Sequence, residues 1–299
     1  MICIYHSRDL DGYSSGAIVK RKYPEAKLIG YDYGQPIPYD RIPKGEPIIM
    51  VDVSLPMSDM LILADHSGHQ LTWIDHHISA INDYQTFVAE QCGGEPFLTA
   101  VLENGIAACE GAWKYLFPDK KMPEFVSLLG EYDTWRNKDK DRWENRILPF
   151  QFGMRLFCNS AETFPEHLFE FDSDNEAMAD VQKVIVQGVT ILQYQAQVNE
   201  SQCKKAFEFE FEGLRAICLN NGGFNSDVFK SVYDGDKHDI MMPFQYNGKT
   251  NTWTFSMYSV KPEVNVSLIA KKYGGGGHAG ASGYQVSDIS TIFPFIKSY

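Results

Sequence analysis

The stretch Trp73-Ile74-Asp75-His76-His77 is an apolar run that stops on a carboxylate and two adjacent imidazoles. Residues 71–74 read as a buried strand, which places Asp75, His76 and His77 at its carboxyl end. In open α/β sheets that edge is where ligands bind. Carboxylate and imidazole together suit Mn²⁺, Zn²⁺ and Fe²⁺. One triplet holds no ion alone, so other strand ends must supply further ligands.

They do. Residues 2–5 form a short apolar strand that runs into His6-Ser7-Arg8-Asp9-Leu10-Asp11-Gly12, and residues 13–23 have helical spacing ahead of Pro24. Asp9 and Asp11 either cap that helix or point into a site. Lys27–Tyr31 is a second strand, and residues 47–51, apolar throughout, form a central third strand that ends at Asp52. Pro56 and Ser58 then open a helix running through Ala64, while His66 and His69 around Gly68 read as turn residues.

So many carboxylates at one edge raise one another's pKa, and divalent metal is the economical way to neutralise them. About seven oxygen and nitrogen donors suit two ions roughly 3.5–4 Å apart. Further on, residues 103–117 are amphipathic, and a helix at 123–130 leads to Asp133, which is either a further ligand or an ordinary turn residue. Trp135 reads as core or as a lid contact.

The 299 residues suffice for two domains. The expected division is a metal-binding domain at 1–150, a helical connector at 151–204 containing a long helix at 175–197, and a smaller mixed α/β domain at 205–299. The expected fold class is α/β, a mainly parallel sheet flanked by helices, joined to that smaller domain by the long helix. Strands are expected at 205–211, 216–219, 239–245 and 252–259, and a helix at 264–273. The run Gly274 to Gly277 permits backbone N–H groups to converge on an anion, with His278 adding a donor.

A net charge of −12 argues against a protein that grips long duplex nucleic acid by its backbone, and favours a small or short anionic substrate met by metal or a local basic site. No apolar run spans a membrane, and the amino-terminal residues do not read as a signal peptide. Six scattered cysteines without a CxxC pair fit a reducing cytoplasm.

His6-x-x-Asp9-x-Asp11, Asp52 after an apolar strand, Asp75-His76-His77 and Asp133 resemble, in order, the four motifs of the DHH phosphoesterase superfamily. Tyr273 to Gly283 is similar to the glycine-rich signature of the DHH-associated carboxyl-terminal domain. The pairing resembles the branch holding nanoRNases, 3′-phosphoadenosine 5′-phosphate phosphatases and proteins called exopolyphosphatase-related. The resemblance implies that His6, Asp9 and Asp52 hold one metal and that Asp11, Asp52, His76 and Asp133 hold a second. Manganese is the first expectation, with magnesium, cobalt or zinc as alternatives. It implies that Asp75 is a ligand or orients an imidazole, that His77 faces the scissile phosphate, and that Gly275, Gly276, Gly277 and His278 bind substrate. One departure stands out: Tyr258, in Ser256-Met257-Tyr258-Ser259, occupies the place of an arginine that binds substrate phosphate in many relatives.

The expected function is therefore metal-dependent hydrolysis of short oligoribonucleotides or small nucleotide phosphates by a water activated between two metals, in a cytoplasmic protein with room for a homodimer. An exopolyphosphatase-type phosphohydrolase is the runner-up. A non-catalytic nucleotide sensor is the alternative from another class, and a sensor should have lost ligands.

Overall fold

A computed structural model describes residues 1–169, 174–222 and 226–295; within the long helix, side chains are described from residue 179. The chain divides into two compact units, Met1–Leu192 and Gln193–Tyr299.

The first unit is built on five parallel strands: β1 (Ile2–His6), β2 (Lys27–Tyr31), β3 (Ile48–Val51), β4 (Leu71–Asp75) and β5 (Thr99–Leu102). Their order across the sheet is β2-β1-β3-β4-β5. Both faces are covered. Cys3, Tyr5, Ile49, Val51 and Ile74 pack on one side, and Ile2, Ile4, Ile48, Met50, Leu71 and Trp73 on the other. Strict alternation between two cores explains why these strands read as unbroken apolar runs. Helices α1 (Leu10–Lys22), α4 (Ala108–Leu116) and α5 (Glu124–Asp133) contribute to the first core, and α2 (Met57–His66) and α3 (Ile78–Gln91) to the second. A single turn α6 (Lys140–Arg142), a π-helical turn Trp143–Ile147 and α7 (Leu148–Met154) follow.

Two departures from the sequence reading concern this unit. Helix α4 begins at Ala108 rather than near residue 103, because Gly105 turns the chain with a φ of 97°. Helix α3 and strand β5 occupy a stretch in which periodicity showed neither; β5 is a four-residue strand with exposed Thr99 and Ala100.

The long helix α8 (Asp174–Cys203) contains the unit boundary. The second unit carries β6 (Phe207–Phe211), β7 (Leu214–Asn220), β8 (Ile240–Asn247), β9 (Thr252–Tyr258), α9 (Val266–Lys272), β10 (Gly276–His278) and β11 (Ala281–Val286). Its sheet runs β10-β11-β9-β8-β7-β6, and only β7 and β8 pair in parallel. Phe211, Phe244, Phe255, Met257, Ile269, Tyr284 and Phe293 form its core. Among the described residues no helix is long and apolar enough to cross a membrane.

Candidate metal centre

The order β2-β1-β3-β4-β5 has its switch point between β1 and β3, where strands leave in opposite directions and a crevice opens at their carboxyl ends. His6 ends β1, Asp52 follows β3 directly, and Asp75 ends β4. Strand chemistry alone thus brings three of the anticipated residues to one place.

The turn after β1 adds two more. Asp9 is the N-cap of α1, its Oδ1 accepting from the Gly12 N–H at 2.9 Å, while its Oδ2 lies 3.1 Å from His6 Nδ1. Asp11 is buried at 3% exposure and accepts from the N–H groups of Ala108 and Cys109 at 2.9 and 2.8 Å, the first turn of α4. Capping and site are therefore compatible for both carboxylates. Asp133, the last residue of α5, comes from the same face of the sheet.

Asp52 is the centre of the arrangement. It is 2% exposed and holds a left-handed φ of 58°, a conformation that non-glycine residues hold at a cost of about 1–2 kcal/mol. Its Oδ2 lies 3.3 Å from His6 Nδ1, and its Oδ1 lies 3.4 Å from His76 Nε2. His76 Nε2 is also 3.4 Å from Asp133 Oδ2 and 3.6 Å from Asp11 Oδ2. The donor atoms of His6, Asp9 and Asp52 lie within 4.8 Å of one another, as do those of Asp11, His76 and Asp133. Asp75 does something different. Its Oδ1 accepts from the backbone of His76 and His77 (2.7 and 3.2 Å) and sits 2.7 Å from His77 Nδ1, and its Oδ2 accepts from the Trp73 indole at 3.1 Å.

The crowding shifts the titrating groups of the cluster. Burial, aggravated by its acidic neighbours Asp9 and Asp133, pushes the Asp52 carboxyl up to about 7. Burial and the nearby Asp11 do the same to Asp133, also to about 7, and burial with Asp52 holds Asp11 well above the usual range. Burial opposes charge on His6, yet Asp52 and Asp9 outweigh it and raise the imidazole to about 10. The bond to Asp75 raises His77 to about 9. His6 Nδ1 is nevertheless buried without a hydrogen-bond partner, facing carboxylate oxygens that it does not align with. Orphaned imidazole nitrogen, crowded carboxylates and mixed nitrogen and oxygen donors are a set that fits divalent cations.

Two residues were not anticipated. Asp32 directly follows β2 and approaches His6 Nε2 at 3.7 Å, with Arg8 Nε 3.3 Å from its other oxygen. The rule that flagged Asp52 applies equally to it. Tyr33 packs edge-on to His6 with centroids 5.6 Å apart. The glycine-rich segment lies in the second unit: Gly276, Gly277 and His278 form the exposed edge strand β10, paired to β11, and Gly275 donates to the Ala270 carbonyl. His66 bonds the Ile42 carbonyl and His69 holds a turn at φ 63°, so neither joins the cluster.

No family model matches the chain. It is 25% identical over 300 residues to an uncharacterized protein of Acanthamoeba polyphaga mimivirus, a match covering 98% of this chain and 60% of that protein. The chain thus spans less than two thirds of that relative's length. It is 21% identical to the Oligoribonuclease NrnB of Bacillus subtilis, over 96% of this chain and 73% of the relative. Among solved structures, a pGpG-specific phosphodiesterase, PggH of Vibrio cholerae, superposes with a TM-score of 0.56 at 14% identity, covering 97% of this chain and 94% of that one. In its ordered motifs and its two-domain fold the chain is similar to members of the DHH phosphoesterase superfamily.

Proposed function

We propose that the protein is a metal-dependent phosphoesterase acting on short oligoribonucleotides or small nucleotide phosphates. The observation that carries this is the position of Asp52, whose two oxygens face His6 and His76 separately. One carboxylate therefore serves two ligand groups, His6, Asp9 and Asp52 on one side and Asp11, Asp52, His76 and Asp133 on the other. Divalent ions held there, manganese first by donor type, would neutralise the carboxylates, polarise phosphoryl oxygens and lower the pKa of an attacking water.

The chain's own residues supply the rest. Asp75 fixes the direction of His76 and His77 through their backbone N–H groups and the His77 ring, a role often taken by carboxylates behind metal-bound imidazoles. The bond to Asp75 favours the charged form of the His77 ring, which is 40% exposed and so open to a phosphate oxygen. Gly275, Gly276, Gly277 and His278 are assigned a substrate-binding role on the exposed edge they form. The names of NrnB, an oligoribonuclease, and PggH, a pGpG-specific phosphodiesterase, favour a nucleotide substrate. Tyr258 in place of the arginine of many relatives keeps polyphosphate as the second substrate to test.

Short oligoribonucleotides, 3′-phosphoadenosine 5′-phosphate and polyphosphate, assayed in parallel with Mn²⁺, distinguish these substrates. Hydrolysis of either nucleotide substrate, abolished in His76→Ala, is the expected result. Turnover retained in His76→Ala would overturn the site, and consumption of polyphosphate alone would reverse the substrate order. Nucleotide binding without bound metal or turnover would establish a sensor instead.

A further inference from the structure

The metal cluster does not account for Trp135. It stands two residues beyond Asp133, so its Cα lies within about 7 Å of the ligand's along the chain. Its side chain is 65% exposed. The sequence reading of core or lid contact gives no reason for a large apolar ring in solvent at this point.

Its backbone sharpens the question. Helix α5 ends in a Schellman motif: the Trp135 N–H bonds the Tyr132 carbonyl at 3.1 Å, and the Arg136 N–H reaches back to the Glu131 carbonyl at 2.9 Å. Trp135 holds the left-handed position with a φ of 55°. Helices α2 and α9 end in the same motif, with Gly68 at φ 67° and Gly274 at φ 75° in that position. The protein therefore uses the glycine that the geometry favours at two helix ends and a bulky indole at the end beside Asp133.

The ring also packs against other aromatics. It packs edge-on against Trp143, with centroids 5.0 Å apart at 66°, and against Tyr132 at 6.4 Å and 64°. Trp143 is itself buried and stacked on Tyr132 at 5.7 Å. Arg136, the next residue, is pinned by Thr134 Oγ1 and by Glu110, which also caps α4. A solvent-facing aromatic ring, packed from behind and two residues along the chain from a proposed metal ligand, is suited to bind a base by stacking. On the phosphoesterase reading, we propose that Trp135 is a stacking platform for a nucleobase of the substrate, selecting base-bearing phosphates over base-free ones.

The test compares wild type, Trp135→Ala and Trp135→Phe on a diribonucleotide and on an abasic analogue with the same phosphodiester. Equilibrium binding is measured without turnover, in metal-free buffer, and steady-state hydrolysis with Mn²⁺. Trp135→Ala is expected to raise Kd and KM for the diribonucleotide by roughly tenfold or more, with the loss in KM rather than kcat. The abasic analogue should show no such rise, and Trp135→Phe should recover most of the loss. Equal losses on both ligands, an unrescued Phe variant, or wild-type binding that ignores the bases would overturn the proposal. Should wild type bind the diribonucleotide through Trp135 yet hydrolyse neither ligand, the phosphoesterase reading falls and the platform stands.

Discussion

Asp52 in the first unit is a buried carboxylate and Asp239 in the second a partly exposed one, and their surroundings treat them oppositely. Asp239 accepts from Arg215 through its backbone N–H, Nε and Nη2, and from Lys261 Nζ at 2.7 Å. The Arg215 guanidinium and then Lys261 hold its carboxyl far below the usual range. Asp52 has further acids for neighbours, Asp9, Asp133 and Asp75, and is pushed up to about 7, chiefly by burial. One site carries its own cations and is finished. The other gathers carboxylates around imidazoles instead, the pattern on which the proposal of added cations rests.

Asp52→Asn should make that difference visible with the largest effect. Asparagine tolerates the left-handed backbone, so the variant keeps the fold. It is expected to lose metal-stimulated hydrolysis down to background and to lose one equivalent of Mn²⁺ in titration, while its metal-free thermal midpoint does not fall. The mirror change, Asp239→Asn, should leave Mn²⁺ stoichiometry intact and lower Tm by at most about 2–4 °C. Undiminished Mn²⁺ binding in Asp52→Asn would erase the distinction. Next comes Asp75→Asn, which keeps the proposed ligands but loses the negative charge and one of two acceptor oxygens, so the amide cannot satisfy both the His76 and His77 N–H groups and the Trp73 indole. A fall in kcat of about 10–100-fold with metal content retained is expected.

Opposite pKa directions require opposite pH dependence. A carboxyl raised in the folded state, as at Asp52 and Asp133, contributes stability below its unfolded pKa and loses it as pH rises through about 7. For the depressed Asp239, the contribution is present above the unfolded value, near 3.9, and is lost as pH falls below it. Urea midpoints of the metal-free protein should therefore decline from pH 5 to 8, and Asp52→Asn should flatten that decline. Asp239→Asn should flatten only the acid limb. A decline that Asp52→Asn leaves unchanged would mean that another group sets it.

What could be read in advance follows the same division. His6, Asp52 and Asp75 were legible because each ends or follows a strand buried on both faces, and such strands announce themselves as apolar runs. Asp32 satisfied the same rule and was passed over, since the Tyr-Gly-Gln-Pro segment after it reads as an ordinary loop. Strand β5 was not legible: four residues at a sheet edge carry too little pattern, and pairing with β4 alone defines them. Gly276 and Gly277 read as loop, yet pairing with β11 draws them into the sheet, a tertiary contact overriding weak strand propensity. Both carboxylates at 9 and 11 posed cap against ligand as alternatives, but a carboxylate has two oxygens, and Asp9 turns one to each task.

The smallest expected effect separates two of the three Schellman caps, those at Gly274 and Trp135. At Gly274 a Cβ meets open space, so Gly274→Ala is strained only by its φ of 75° and should lose about 1–2 kcal/mol. Trp135→Gly relieves the same backbone strain and gives up edge contacts of about 0.5–1.5 kcal/mol, together with some entropy of the unfolded chain. These terms nearly cancel, so its stability should stay within about 1 kcal/mol of wild type. A loss of about 3–5 kcal/mol, the scale of removing a core tryptophan, would show that the indole holds the fold together and is not spare for a ligand. Near-neutral stability joined to weakened nucleotide binding would instead mean that the strain at this helix end is maintained for function.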